Sequence, residues 1–301
     1  MDIRIAWALA WICFWLATPA TAGLKVFACE PEWGALVREL GGDKVDVYVA
    51  TNARQDPHRI EARPSLIARA RSADLVVCTG AELEIGWLPL VLSQSGNARI
   101  QRGRSGYFEA ARYASMREIP SSIDRAQGDV HAAGNPHIHL DPRNVEKIAR
   151  ALGQRMRELD EIDGGTYAAR SQAFLARWLE AIARWEKLAE PLRAMPVVVH
   201  HKDLSYLLGW LGMREAGTLE PKPGLPATPA HLGDLLERIG REPVKVILRS
   251  PYSDPRPSQW LSQRTMIPAV VLPFTVGGSD RAQDLFGLFD DTLALLLAVP
   301  R

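Results

Sequence analysis

Three short segments place histidines where a strand gives way to a loop. They are Gln55-Asp56-Pro57-His58, Asn135-Pro136-His137-Ile138-His139-Leu140-Asp141-Pro142 and Val197-Val198-Val199-His200-His201, and they hold five of the chain's seven histidines. Neutral imidazole is the commonest protein ligand for borderline divalent metals. Three imidazoles from such distant segments meet on one ion only if the fold gathers those strand ends. The other histidines have plainer readings. His131, in the glycine- and alanine-rich stretch 128–134, reads as a surface-loop residue. His231 opens a helical pattern after the proline-rich turn 220–226 and reads as a capping or supporting group. His200 reads as a group that orients His201 or packs beneath it.

The elements that would position these residues alternate. Strand-like runs at 24–28, 45–50 and 75–78 are separated by helical patterns at 33–40 and 64–71. The second half repeats the rhythm, with strand-like 197–200, 214–219, 244–248 and 269–274, and helical 204–211, 231–239, 257–265 and 282–298. Such alternation predicts βαβ units and mainly parallel sheets, here as two α/β lobes. Between them Val145, Ile148, Ala149, Leu152, Met156 and Leu159 recur at helical spacing, with Asp141 as N-cap and Pro142 at the first helical position. Gly164-Gly165 interrupts this pattern, which resumes through Tyr167, Phe174, Trp178, Ile182 and Trp185. The stretch is too long for an ordinary crossover, so it reads as the tie between lobes. The expected division is a signal peptide at 1–22, an N-terminal lobe at 23–141, a long connecting helix at 142–190 and a C-terminal lobe at 191–301. Open parallel sheets bind ligands beyond the carboxyl ends of their strands, which is where the histidine segments fall.

Arg4, an apolar run over 5–16 and Ala20-Thr21-Ala22 together read as an export signal cleaved before Gly23. Cys13 lies inside the apolar run and not at the cleavage junction, so no lipid-modified cysteine is expected there. The run is shorter than a comfortable membrane span of ~20 residues. The mature chain, of about 280 residues, suffices for one large or two medium domains. With 36 basic against 35 acidic residues and a net charge of +1, nothing points to nucleic acid or an anionic membrane as partner. No later stretch is apolar enough for membrane insertion. Cys29 and Cys78 each end a strand-like run. In an exported protein they form either a disulfide or two small buried thiols, and spacing does not decide between them.

Taken together, these residues resemble the substrate-binding proteins of zinc and manganese ABC importers over nearly the whole mature chain. Asp56-Pro57-His58 with Glu61 and Arg63-Pro64-Ser65 is similar to that family's first metal motif. Asn135-Pro136-His137 with Leu140-Asp141-Pro142 is similar to the second. His201 followed five residues later by Tyr206 is similar to the third, and favours His201 over His200. Gly80, Glu84 and Trp87-Leu88 also fit a family pattern. The resemblance implies two Rossmann-like lobes joined by one long helix, with metal in the cleft between them on His58, His137 and His201. It further implies a periplasmic monomer that hands its ion to a permease with a cytoplasmic ATPase.

Two departures stand out. Many members carry an aspartate at the end of the last strand as fourth ligand, where this chain has Val276. Asp280 is the expected fourth ligand if the Gly277-Gly278 loop folds back; otherwise water or another group completes the shell. His139 replaces a tryptophan usual in the family, and is read as a stacking substitute, with extra ligand as the alternative. Zinc prefers histidine and thiolate whereas manganese prefers carboxylate and water. Three histidines with at most one carboxylate therefore favour Zn²⁺, carried as cargo, over Mn²⁺, with Cu²⁺ as the chemical competitor. The rival from another class is a metal-dependent hydrolase, but the chain has no His-Glu-x-x-His and no evident general base. A third reading is a periplasmic metal buffer or adhesin that serves no transporter.

Overall fold

The computed structural model describes residues 23–122 and 128–300. The expected signal peptide lies outside the described residues. Among those described, no helix is long and apolar enough to cross a membrane.

The first lobe runs β1 (Leu24–Ala28), α1 (Pro31–Gly41), β2 (Val45–Val49), α2 (Pro64–Arg71), β3 (Leu75–Cys78), α3 (Leu88–Ser95) and β4 (Tyr107–Glu109). Its sheet is wholly parallel, in the order β2-β1-β3-β4. Strand period decides which layer each side chain joins. Leu24, Val26, Ala28, Leu75 and Val77 point to an inner core, and Phe27, Cys29, Val76 and Cys78 to an outer one with Leu66, Trp87 and Val91. Short α3 and the three-residue β4 escape a periodicity reading, being too brief to show a repeat.

The expected connector is two helices. α4 (Pro142–Leu159) has its Asp141 cap in place, accepting from Arg143 N–H, and α5 spans Gly164–Leu188. They run antiparallel: Trp178 Nε1 donates to Pro142 O at 2.8 Å, and a Cβ on Gly153 would meet Ser171 Oγ at 2.3 Å. The chain reverses just before Gly164-Gly165, so the 142–190 stretch is a hairpin, and the single long helix that joins the lobes is α5 alone.

The second lobe runs β5 (Pro196–Val199), α6 (Ser205–Leu211), β6 (Arg214–Thr218), α7 (Pro229–Arg241), β7 (Val246–Arg249), α8 (Pro255–Thr265), β8 (Ala269–Val271) and α9 (Leu285–Leu297). Its parallel order, β6-β5-β7-β8, repeats that of the first lobe. The two sheets do not have separate inner cores. One buried cluster runs from Leu24, Val26 and Leu36 through Trp178 and Trp185 to Val197, Leu248 and Phe289. In its middle, Trp178 packs on Trp185 (ring centroids 5.1 Å apart) and on Phe286 at 4.9 Å.

Candidate metal centre

Each histidine is held by a local device. His58 sits in the β2–α2 loop, where Asp56 Oδ1 accepts from both its backbone N–H (3.0 Å) and its ring Nδ1 (2.8 Å). From the β3–α3 loop, Trp87 Nε1 donates to Pro57 O at 3.1 Å and pins the same turn. Burial would raise the Asp56 carboxyl, but the hydrogen bonds and charge of His58 hold it below its usual range.

His137 is 1 % exposed. Its N–H donates to Asn135 Oδ1 at 3.0 Å, and Asn135 Nδ2 reaches Lys202 O in the second lobe at 2.7 Å. Tyr206 Oη donates to Asn135 O at 2.8 Å. The five-residue offset between His201 and Tyr206 thus has a mechanical reason: from the first turn of α6, the phenol locks the His137 loop. Desolvation, then the neighbouring imidazoles His58 and His201, hold His137 well below the ordinary histidine value, so it is neutral over the physiological range.

His201 follows β5. Its Nδ1 lies 2.7 Å from Glu220 Oε2, which also accepts from Gly224 N–H at 2.8 Å. Burial pulls the His201 pKa down, but the bond to Glu220 and the charges of Asp203, Glu220 and Asp56 outweigh it, and the pKa stands above the ordinary value. For His58 and His201 alike, a carboxylate on Nδ1 fixes the tautomer and leaves Nε2 as the free donor, an arrangement that orients metal-binding imidazoles.

The three rings converge. Centroids are 5.3 Å apart for His58 and His137, 6.0 Å for His58 and His201, and 5.9 Å for His137 and His201. One nitrogen from each lies within 4.8 Å of the others. His58 Nε2 and His137 Nδ1 are buried without a hydrogen-bond partner. Orphaned buried nitrogens facing one another are what a divalent cation would satisfy, so the donor set fits a metal. His58 and His201 open onto a cleft of about 670 Å³ also lined by Tyr252, Leu232 and Trp260.

Asp280 does not join them. It is exposed in the loop after β8, its backbone carbonyl accepts from Gln283 at 3.3 Å, and it is absent from the group of converging donors. The tight turn at Gly277, whose N–H donates to Ala282 O at 2.6 Å, closes the loop on itself instead of folding it toward the histidines. His131, read from sequence as a surface residue, instead packs against His58, with ring centroids 5.3 Å apart. Burial foremost and the His58 charge pull its pKa down to about 4. Its glycine-rich surroundings gave no periodic signal of this. Glu220, read from sequence only as the start of the proline-rich turn, proves to be the His201 partner; its place two residues beyond β6, the strand that pairs with β5, was the available clue.

His139 stands edge-on to Phe274 at 4.9 Å and to Trp33 at 6.4 Å, as an aromatic substitute would. It also makes polar contacts, Nε2 to Phe274 O at 2.9 Å and Nδ1 to Glu32 Oε1 at 3.2 Å, bridging the lobes. His200 Nε2 lies 3.9 Å from the second oxygen of Glu220. His231 N–H donates to the capping Thr228 Oγ1, and its Nε2 lies 2.8 Å from Thr218 O, away from the cluster.

The chain as a whole is similar to known metal-binding and metal-transport proteins. The family model described as zinc-uptake complex component A, periplasmic, matches residues 26–298. Similar curated proteins include a manganese ABC transporter substrate-binding lipoprotein of Streptococcus anginosus, 24 % identical over 271 residues (85 % of this chain, 82 % of that one). An iron ABC transporter substrate-binding lipoprotein of Streptococcus pyogenes is 22 % identical over 256 residues (84 % and 80 %). Among solved structures, a crystal structure of ZnuA superposes with a TM-score of 0.76 at 19 % identity, covering 92 % of this chain and 99 % of that one. A cadmium-bound periplasmic metal-binding protein from Candidatus Liberibacter asiaticus gives 0.73 at 15 %, covering 91 % and 98 %.

Proposed function

Because the chain belongs to the zinc-uptake component A family of metal ABC-transporter substrate-binding proteins, we propose that it captures Zn²⁺ outside the cytoplasm and delivers it to a membrane importer. The family is one of binding proteins and not of enzymes, and its members work with a membrane permease and an ATPase. Relatives are named for manganese and iron as well, so the choice of ion rests on this chain's own donors. The carrying observation is that all three converging donors are imidazoles, with no carboxylate among them. Nitrogen donors favour zinc, and oxygen donors manganese.

In this reading His58, His137 and His201 hold the ion. Asp56 and Glu220 keep the first and last in the binding tautomer, and burial keeps His137 neutral. The fourth position falls to water or His131, not to the exposed Asp280. The mature chain works as a periplasmic monomer after cleavage before Gly23. Calorimetric titration tests the assignment. One equivalent of Zn²⁺ should bind far more tightly than Mn²⁺. His58→Ala, His137→Ala and His201→Ala should each weaken it by more than the about 10–100-fold typical of losing a supporting partner. Asp280→Ala and His231→Ala should leave it nearly unchanged. Manganese binding as tight as zinc, or a ligand variant with undiminished affinity, overturns the reading.

A further inference from the structure

In each sheet the strand order reverses between two central strands, β1 and β3 in the first lobe and β5 and β7 in the second. The crevice beyond the carboxyl ends at such a point is where open α/β sheets bind ligands. In the second lobe that position carries His201. In the first it carries Cys29 and Cys78, fully buried and joined as a disulfide with Cα atoms 4.8 Å apart.

Two carboxyls lie beside them. Glu84 places an oxygen within 4.8 Å of both sulfurs and is held by Thr79 N–H at 2.7 Å. Glu30, next to Cys29, accepts from Thr79 Oγ1 at 3.1 Å through Oε2, while its Oε1 is buried without a partner. Glu30 and Glu84 are only 2 % and 3 % exposed. Burial above all raises both pKa values, Glu84 to about 7 and Glu30 well up, the charge of Glu84 adding to the latter. Carboxyls are costly to bury without a compensating charge, and no cationic side chain is hydrogen-bonded to either one among the described residues.

We propose that the Cys29–Cys78 disulfide masks a second metal site, which reduction opens to one Zn²⁺ held by the two sulfurs and Glu84. A dithiol supplies the electrons. The sulfur–sulfur bond breaks, the two cysteine sulfurs take up two electrons and two protons, and the dithiol leaves as its own disulfide. Zinc then displaces the thiol protons to solvent. Two thiolates and a carboxylate oxygen, all within 4.8 Å of one another, are zinc-type donors, and thiolates select zinc over manganese. The site is separate from the histidine centre and does not rest on the importer reading.

Co²⁺ is the probe, because thiolate bound to cobalt gives a charge-transfer absorption that imidazole does not. Oxidised and dithiothreitol-reduced full-length mature protein are compared after anaerobic removal of reductant, with free thiols counted chemically and fold checked by circular dichroism. Reduction should release two thiols from the folded chain and add one equivalent of Co²⁺ with the thiolate band, which Zn²⁺ abolishes. Glu84→Gln should weaken that second equivalent at least about tenfold while leaving both thiols countable. Fewer than two thiols released, no added cobalt, added cobalt without the thiolate band, or an unaffected Glu84→Gln protein each overturns the proposal.

Discussion

Glu220→Gln isolates what a single carboxylate does for the histidine centre. The substitution keeps the side chain's size and an oxygen able to accept from His201 Nδ1 and Gly224 N–H, so the turn survives and only charge is lost. That charge sits 2.7 Å from the ring, with both side chains about nine-tenths buried. Losing a supporting carboxylate of this kind typically costs about 10–100-fold in metal affinity, or about 1.4–2.8 kcal/mol. The pH dependence has a definite sign. Metal needs neutral imidazole, and Glu220 contributes to holding the His201 pKa above its ordinary value against the pull of burial. In the native protein a proton therefore competes for His201 from a comparatively high pH downward. In Glu220→Gln that pKa falls, and competition begins at lower pH. The affinity loss should be largest near about pH 8 and shrink as pH drops toward about 5.5. Calorimetric or competition titrations of both proteins across that range measure it. A loss that is absent at the alkaline end, or that stays flat or grows in acid, refutes the argument.

Two further outcomes follow from the shared core. Trp178→Ala should destabilise the protein by about 3–5 kcal/mol, and denaturant unfolding should remain a single transition seen by probes in either lobe. A cost under about 1 kcal/mol, or two separated transitions, would contradict a continuous core. Because hinge motion needs a few residues that absorb large backbone changes, a fused core with α5 through it should allow little closure. X-ray scattering of metal-free and zinc-loaded protein should then nearly coincide, and a marked compaction would show that the lobes are not so joined.

Much of this was legible in the sequence for physical reasons. A β-branched run such as Val197-Val198-Val199 fixes a buried parallel strand, and whatever follows it, here His200 and His201, falls at the cleft. Asp141 and Pro142 announce a helix start through capping and a fixed φ. What failed to show depends on closure in three dimensions. Gly164-Gly165 marked an interruption, but whether α4 and α5 continue or fold back depends on Gly153 admitting Ser171 and on Trp178 reaching Pro142. Asp280 has the right residue type near the right strand, yet backbone bonds in its own turn decide where it points. His131 sits in a stretch without period, and only its packing against His58 distinguishes it from a loop residue in water.

The packing of α9 also bears on how the molecule comes into being. This last helix closes on α5 and on α1, the first helix, with Phe286 and Phe289 completing the ring cluster around Trp178 and Trp185. A chain synthesised from its N-terminus can pair β1 with β2 early, but cannot seal its central tryptophans until residues 285–297 have emerged. Until then the nascent polypeptide presents an unfinished apolar seam. Such a chain cannot close its core until nearly all of it has been made.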